Sequence, residues 1–143
     1  MSVSNLQRQT LFATADEGAA KAERAAAYAL ALNPDVDARA IGRRITPATA
    51  QELLAGADVV IDGSDNFATR LAVADACTGL RIPLVSAALG QFQGQIGTFR
   101  GWEPGQPCYR CFVGDAFDAD DCDSCSELGV LGAMAGIMGS WAA

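Results

Sequence analysis

The sequence predicts an α/β fold: a mostly parallel sheet with flanking helices, and a Cys-rich loop appended. Three observations carry that expectation. The run Ala57-Asp58-Val59-Val60-Ile61-Asp62 is β-branched and lacks polar alternation, as in a strand covered on both faces of a parallel sheet. A polar turn, Gly63-Ser64-Asp65-Asn66, and a helix-like stretch over residues 67–78 follow it, giving strand, turn and helix in succession. A further strand-like run at residues 82–87 then restores the sheet, and another at 95–99 lies beyond the Gly-rich segment Leu89-Gly90-Gln91-Phe92-Gln93-Gly94.

Taken in order, the chain opens on Ser4-Asn5-Leu6-Gln7-Arg8-Gln9, a polar stretch with one fixed cation among amides that runs into the apolar pair Leu11-Phe12. A guanidinium offers a planar fork of donors suited to phosphate, and Asn and Gln both donate and accept. The segment reads either as an anion-holding element or as a solvated N-terminal arm. Thr14-Ala15-Asp16-Glu17 has the pattern of a capping box ahead of an Ala-rich helix over residues 19–32. Lys21 and Arg24 fall near its start, where the helix dipole disfavours cations, so at least one is a candidate ligand group and both are otherwise solvated charges. Asn33-Pro34 stops the helix, because proline excludes the helical conformation from the residue before it. A short strand is expected at 36–41. Thr46-Pro47 opens a short helix through Leu54, closed by Gly56.

In parallel sheets, ligands bind beyond the carboxyl ends of the strands, which is where Asp62, Asp65 and Asn66 fall. The helix after that turn is expected to end before Gly79, and Cys77 on it to be a core residue. Residues 101–128 are rich in Gly, Pro, Asp and Cys without periodicity, and residues 129–143 read as a helix of small residues, Gly132 and Gly136 allowing close packing on a neighbour.

Composition narrows the function. At 143 residues and 50% hydrophobic, the chain suits one domain with a sizeable core. A net charge of −7 argues against binding a nucleic-acid backbone, which requires clustered cations. The longest apolar stretch, residues 130–143, is shorter than the roughly 20 residues of a membrane helix, and no cleavable signal is present, so a soluble cytoplasmic protein is expected. Histidine is absent, which removes Ser-His and Cys-His nucleophile pairs and any His-ligated metal. Cys108-x-x-Cys111 and Cys122-x-x-Cys125 make CxxC, ten residues, CxxC, close to a four-thiolate zinc knuckle. Zinc would then cross-link a loop poor in apolar residues; a redox dithiol and unligated thiols are the competing readings. Asp120, Asp121 and Asp123 would raise thiol pKa values around the second pair by like-charge repulsion, which disfavours a reactive CxxC there.

Ser4-Asn5-Leu6-Gln7-Arg8-Gln9, Gly18-Ala19-Ala20-Lys21, Asn33-Pro34, Asp62 through Arg70, Gly94-Gln95, Pro107 through Cys111 and Gly129 through Gly132 occur in this order and at this spacing in the ThiF/MoeB/HesA family. The chain resembles a stretch of that family from end to end, nearest to its molybdopterin-synthase branch. The resemblance implies a Rossmann-like domain over residues 1–143, and ATP-dependent adenylylation of the C-terminal glycine of a ubiquitin-like sulfur-carrier protein of the molybdopterin or thiamine biosynthesis type. It implies that Asn5 and Arg8 hold the ATP phosphates within the segment Ser4 to Gln9, and that Lys21 reaches them from the next helix. Asp65 is implied to hold Mg2+ at the reacting phosphate, with Asn66 in the same nucleotide loop, so that Arg8 and Asp65 are the catalytic candidates. The alternative role for Asp65 is an N-cap on the helix that follows.

Three departures qualify that expectation. The family's Gly-rich phosphate loop and ribose-binding acid lie upstream of the SNLQRQ segment, so the nucleotide site and the sheet are expected to be incomplete at the N-terminus and activity impaired. The family's second zinc CxxC lies after the helix that begins at Gly129, so family logic assigns Zn2+ to Cys108 and Cys111, with Cys122 and Cys125 as candidate substitutes. Cys125 instead matches a cysteine that handles sulfur or thioester transfer in some relatives. The resemblance also implies a homodimer in the intact form. The rival readings are a noncatalytic binding or dimerisation module and a small zinc-stabilised redox protein.

Overall fold

The computed structural model describes residues 1–114 and 129–143. Two compact units divide the chain, Met1–Arg44 and Ile45–Ala143.

The first unit is built of turns and one helix. A 3-10 turn at Val3–Asn5 leads into bonds from the Arg8 and Gln9 amides to the Asn5 carbonyl at 3.1 and 2.9 Å. The Met1 ammonium donates to the Ala19 carbonyl at 2.9 Å, and the Gly18 amide donates to the Met1 carbonyl at 3.0 Å. The opening segment is thus tied to the stretch before the helix and is not a solvated arm. The expected capping box does not form at Thr14. Thr14–Asp16 is itself a 3-10 turn, and helix α1 begins later, at Lys21–Leu32, with no side-chain cap. Asp16 does the joining: it is buried, accepts from the Ala13 amide at 2.9 Å and pairs with Arg24 Nε at 2.5 Å. Asn33 takes an extended conformation ahead of Pro34, as the sequence requires. The strand expected at 36–41 is not formed: a strand needs a partner ladder, and among the described residues none pairs with this segment.

The second unit is the α/β body, with helices α2 (Ala50–Leu54), α3 (Phe67–Leu80), α4 (Tyr109–Val113) and α5 (Gly132–Ala142) and strands β1 (Val60–Asp62), β2 (Leu84–Leu89) and β3 (Gly94–Phe99). The sheet order is β1-β2-β3. β1 and β2 are parallel, in register Val60 to Leu84 and Asp62 to Ser86, and α3 makes the crossover between them. β2 and β3 are antiparallel, Leu84 facing Phe99 and Leu89 facing Gly94, joined by the Gly-rich hairpin. The sheet is therefore mixed: the crossover helix permits a parallel return, whereas a short connection permits only an antiparallel one.

Leu84, Val73 and Cys77 are fully buried and lie in the core with Val60, Ala74, Ile82, Phe99 and Tyr109. Gly79 does not end α3; the helix runs to Leu80, and Arg81 takes the left-handed position at φ 58° while the Ile82 amide closes onto the Cys77 carbonyl at 2.9 Å. The expected helix near the C-terminal end exists as α5, which packs on β2 and β3, its Met138 buried against Gly94 of β3. Within the stretch expected to lack regular structure, Tyr109–Val113 forms a short helix, because Tyr109 is buried edge-on to Phe99 with ring centroids 5.3 Å apart.

Candidate functional site

In the first unit, the Asn5-to-Arg8 turn places the two polar side chains together. Arg8 Nη2 donates to Asn5 Oδ1 at 2.9 Å and Nη1 to the Ser4 carbonyl at 3.5 Å. The guanidinium is held from one side, and its five donors are not exhausted by these two bonds. Leu6 and Gln9 are half-buried, with Gln9 Oε1 enclosed and without a hydrogen-bond partner among the described residues, and Gln7 is exposed. Of the two cations near the start of α1, Arg24 is committed to Asp16, whereas Lys21 is exposed at the first helical position and makes no bond with a described residue.

In the second unit, the loop after β1 has a defined frame. Asp62 is buried at the carboxyl end of β1, and its Oδ1 accepts from the Ser64 amide at 2.9 Å. Asn66 caps α3, its Oδ1 accepting from the Thr69 amide at 2.8 Å. This corrects the alternative that gave the cap to Asp65. The chain leaves the extended conformation at Asn66, one residue later than that reading assumed, so only Asn66 can reach the third amide of the helix. Asp65 is exposed, and no described residue engages its carboxylate. Arg70 was noted in the sequence only as the end of a motif. It is 8% exposed, and it donates to Ser86 Oγ at 3.3 Å, to the Ala87 carbonyl at 3.1 Å and to the Ser64 carbonyl. The available signal was a lone arginine on a helix whose other buried positions, Ala72, Val73, Ala74, Ala76 and Cys77, are all apolar or small.

Cys108 caps α4, its Sγ accepting from the Cys111 amide at 3.3 Å, and the two sulfurs lie 3.0 Å apart. Those contacts with Cys111 hold the Cys108 thiol below its ordinary pKa. Arg110 between them reaches back to α3 and grips Asp75 with two bonds of 2.7 Å. Cys77, by contrast, is pushed up to about 11, first by burial and then by the charge of Asp62, which suits an inert core thiol. Among the described residues, no three metal-ligating side chains converge. Cys122 and Cys125 lie outside the described residues. Cys108 and Cys111 offer two thiolates of a tetrahedral zinc site, whose sulfurs stand roughly 3.8 Å apart at ordinary Zn–S lengths, so a small side-chain rotation would fit them. Asp65 offers an exposed carboxylate that no described residue engages, a ligand type suited to a hard divalent cation.

No helix among the described residues is long and apolar enough to cross a membrane.

A solved structure described as "Crystal Structure of SeMet PaaA" superposes with a TM-score of 0.63 at 18% identity, covering 96% of this chain and 50% of that one, a likeness of fold. The SAMP-activating enzyme E1 of Haloferax volcanii is 45% identical over 113 residues, which is 79% of this chain and 41% of that protein. The sulfur carrier protein ThiS adenylyltransferase of Escherichia coli is 40% identical over 114 residues, covering 79% of this chain and 45% of its own length. The molybdopterin-synthase adenylyltransferase of Escherichia coli is 38% identical over 111 residues, covering 78% and 44%. This chain thus spans less than half the length of these relatives. The model of the ThiF family matches residues 1–143, so the chain belongs to the ThiF family.

Proposed function

We propose that residues 1–143 form part of one nucleotide-binding domain that uses ATP to adenylylate the C-terminal glycine of a ubiquitin-like sulfur-carrier protein. The observation that carries this reading is the exposed, unengaged Asp65 on a framed loop at the end of a parallel strand, in a chain whose named relatives are adenylyltransferases. A carrier carboxylate oxygen forms the new bond to the α-phosphorus, and the bond from that phosphorus to the pyrophosphate oxygen breaks. No proton has to move, so a protein without histidine can carry the step. Negative charge gathers on the nonbridging oxygens and on departing pyrophosphate, and what the step needs is fixed positive charge. Arg8, steadied by Asn5, and Lys21 supply it as donors to phosphate oxygens. Asp65 would hold Mg2+, which when bound neutralises charge on the phosphates.

Cys108 and Cys111 would hold Zn2+ as a structural cross-link, and Cys125 is a candidate for sulfur or thioester transfer. A homodimer and a cytoplasmic setting belong to the same reading.

The test is carrier-dependent ATP–pyrophosphate exchange with Mg2+, using purified sulfur carriers with a Gly-Gly terminus. Exchange supports the reading, and its absence with every carrier in protein that also carries the family's Gly-rich phosphate loop overturns it. The 3.0 Å approach of Cys108 and Cys111 favours a second reading, a redox dithiol. Under that reading the protein would bind no nucleotide, and the two thiols would cycle with a disulfide reagent. For zinc, the Cys108→Ser, Cys111→Ser double variant should lose the metal, read by elemental analysis; full zinc stoichiometry in it would remove these ligands.

A further inference from the structure

We propose that Arg70 is a positioning residue for adenylyl transfer, its buried guanidinium holding the loop that presents Asp65 in one geometry. The role of Asp65 rests on the function proposed above; what Arg70 holds rests on the structure.

Arg70 projects from α3 and joins three segments. Nη1 donates to Ser86 Oγ at 3.3 Å, and Nη2 donates to the Ala87 carbonyl at 3.1 Å, both on β2. Nη2 also donates to the carbonyl of Ser64, the residue immediately before Asp65. All three acceptors are neutral, and no carboxylate among the described residues pairs with this cation. A guanidinium at 8% exposure loses its hydration, and neutral oxygens return only part of it. An apolar side chain would serve stability as well at this place, on a helix that buries Ala72, Val73, Ala74 and Ala76 nearby. What arginine alone provides is a planar fork whose donors diverge far enough to reach oxygens of separate segments.

The consequence falls on one peptide unit. The Ser64 amide is held by Asp62 Oδ1 at 2.9 Å and its carbonyl by Arg70, so Ser64 is gripped at both polar groups. Beyond Asp65, Asn66 is fixed by its cap bond to Thr69 at 2.8 Å. Asp65 therefore leaves a backbone clamped on both sides while its own carboxylate is engaged by nothing described. Two buried polar atoms of residues just before it, Asp62 Oδ2 and Ser64 Oγ, have no hydrogen-bond partner among the described residues. A core built for stability alone would replace such groups with apolar ones. A rigid frame around a free carboxylate is the arrangement that electrostatic catalysis requires, because a group placed in advance needs no reorganisation during the reaction.

The experiment compares Arg70→Met, Arg70→Lys and Ser86→Ala with the unaltered protein by amide hydrogen exchange and by the Mg2+ dependence of pyrophosphate exchange. In Arg70→Met, peptides covering residues 63–66 should exchange about tenfold faster, the factor that one ordinary hydrogen bond represents, while residues 72–78 and the β2–β3 ladder keep their protection. The half-saturating Mg2+ concentration should rise by a similar factor, and more than the KM for ATP. Arg70→Lys, which keeps the charge and loses the fork, should fall between. Ser86→Ala removes one acceptor without burying a new group and should shift both readouts in the same direction by less; it decides the matter if Arg70→Met does not fold. Unchanged protection at 63–66, or a loss spread evenly over α3 and the sheet, would overturn the proposal. Failure of the functional reading looks different: the unaltered protein, with the family's Gly-rich phosphate loop present, would give no exchange with any carrier, while the amide pattern would still report whether Arg70 holds the loop.

Discussion

Asp65 and Asn66 are neighbours with separable tasks, and substitution should show it. Asp65→Asn removes a charge that makes no helix cap and no ion pair with a described residue, so the midpoint of denaturant unfolding should stay within about 0.5 kcal/mol of the parent while pyrophosphate exchange is lost. Retained exchange in that variant would take Asp65 out of the reaction. Asn66→Ala should do the reverse in stability, costing about 1 kcal/mol through the lost bond to the Thr69 amide. Cys77 sets a pH dependence. Its thiol keeps its proton to about 11 in the folded chain, against 9.0 for an unperturbed thiol, so the unfolded state releases its proton first. Stability should therefore be insensitive to this group below pH 9 and decline as pH rises from 9 towards 11. Denaturant titrations across that range should show a shallower decline in Cys77→Ala, and identical slopes would count against the assignment.

At the level of elements, the CxxC turn is fastened to the body by packing more than by charge. The Arg110 to Asp75 pair has good two-bond geometry, yet the side chains are 46% and 51% exposed, so it contributes at most about 1 kcal/mol. Tyr109 is buried against Phe99, and Gly101 lets the loop close on Cys108: a Cβ at Gly101 would sit 2.4 Å from Cys108 Cβ and 2.8 Å from its Cα. Because the obstacle includes backbone, Gly101→Ala must displace the turn and should destabilise by about 1–3 kcal/mol. It should also speed the release of zinc to a chelator if Cys108 and Cys111 hold the metal. Unaltered unfolding and chelation in Gly101→Ala would show that the approach is not tight. Gly94 is the corresponding contact between β3 and α5: a Cβ there would sit 2.4 Å from Met138 Sδ, but a thioether can swing aside, so Gly94→Ala should cost less.

For the molecule as a whole, what could be read from the sequence and what could not divide along physical lines. The crossover from β1 through α3 to β2 was legible because an unalternated β-branched run, a polar turn and a long helical stretch are each local signals, and a parallel return then follows from connection length. The core cysteine and the stop at Asn33-Pro34 were legible for the same reason, and the order and spacing of the motifs from Ser4 to Gly132 carried the family likeness. Element edges were less so: α1 starts at Lys21 because Asp16 found partners in Ala13 and Arg24, and the run at 36–41 has strand-like composition without a ladder to join. Tertiary structure alone decided which of Asp65 and Asn66 caps α3, since both residue types suit that position and only the backbone path selects one. It alone decided that Arg24 is tied to Asp16 while Lys21 stands open, two cations that composition cannot tell apart. And it alone turned Arg70 inward onto Ser64, Ser86 and Ala87, because a residue's acceptors come from segments distant in sequence and exist only once the sheet has formed.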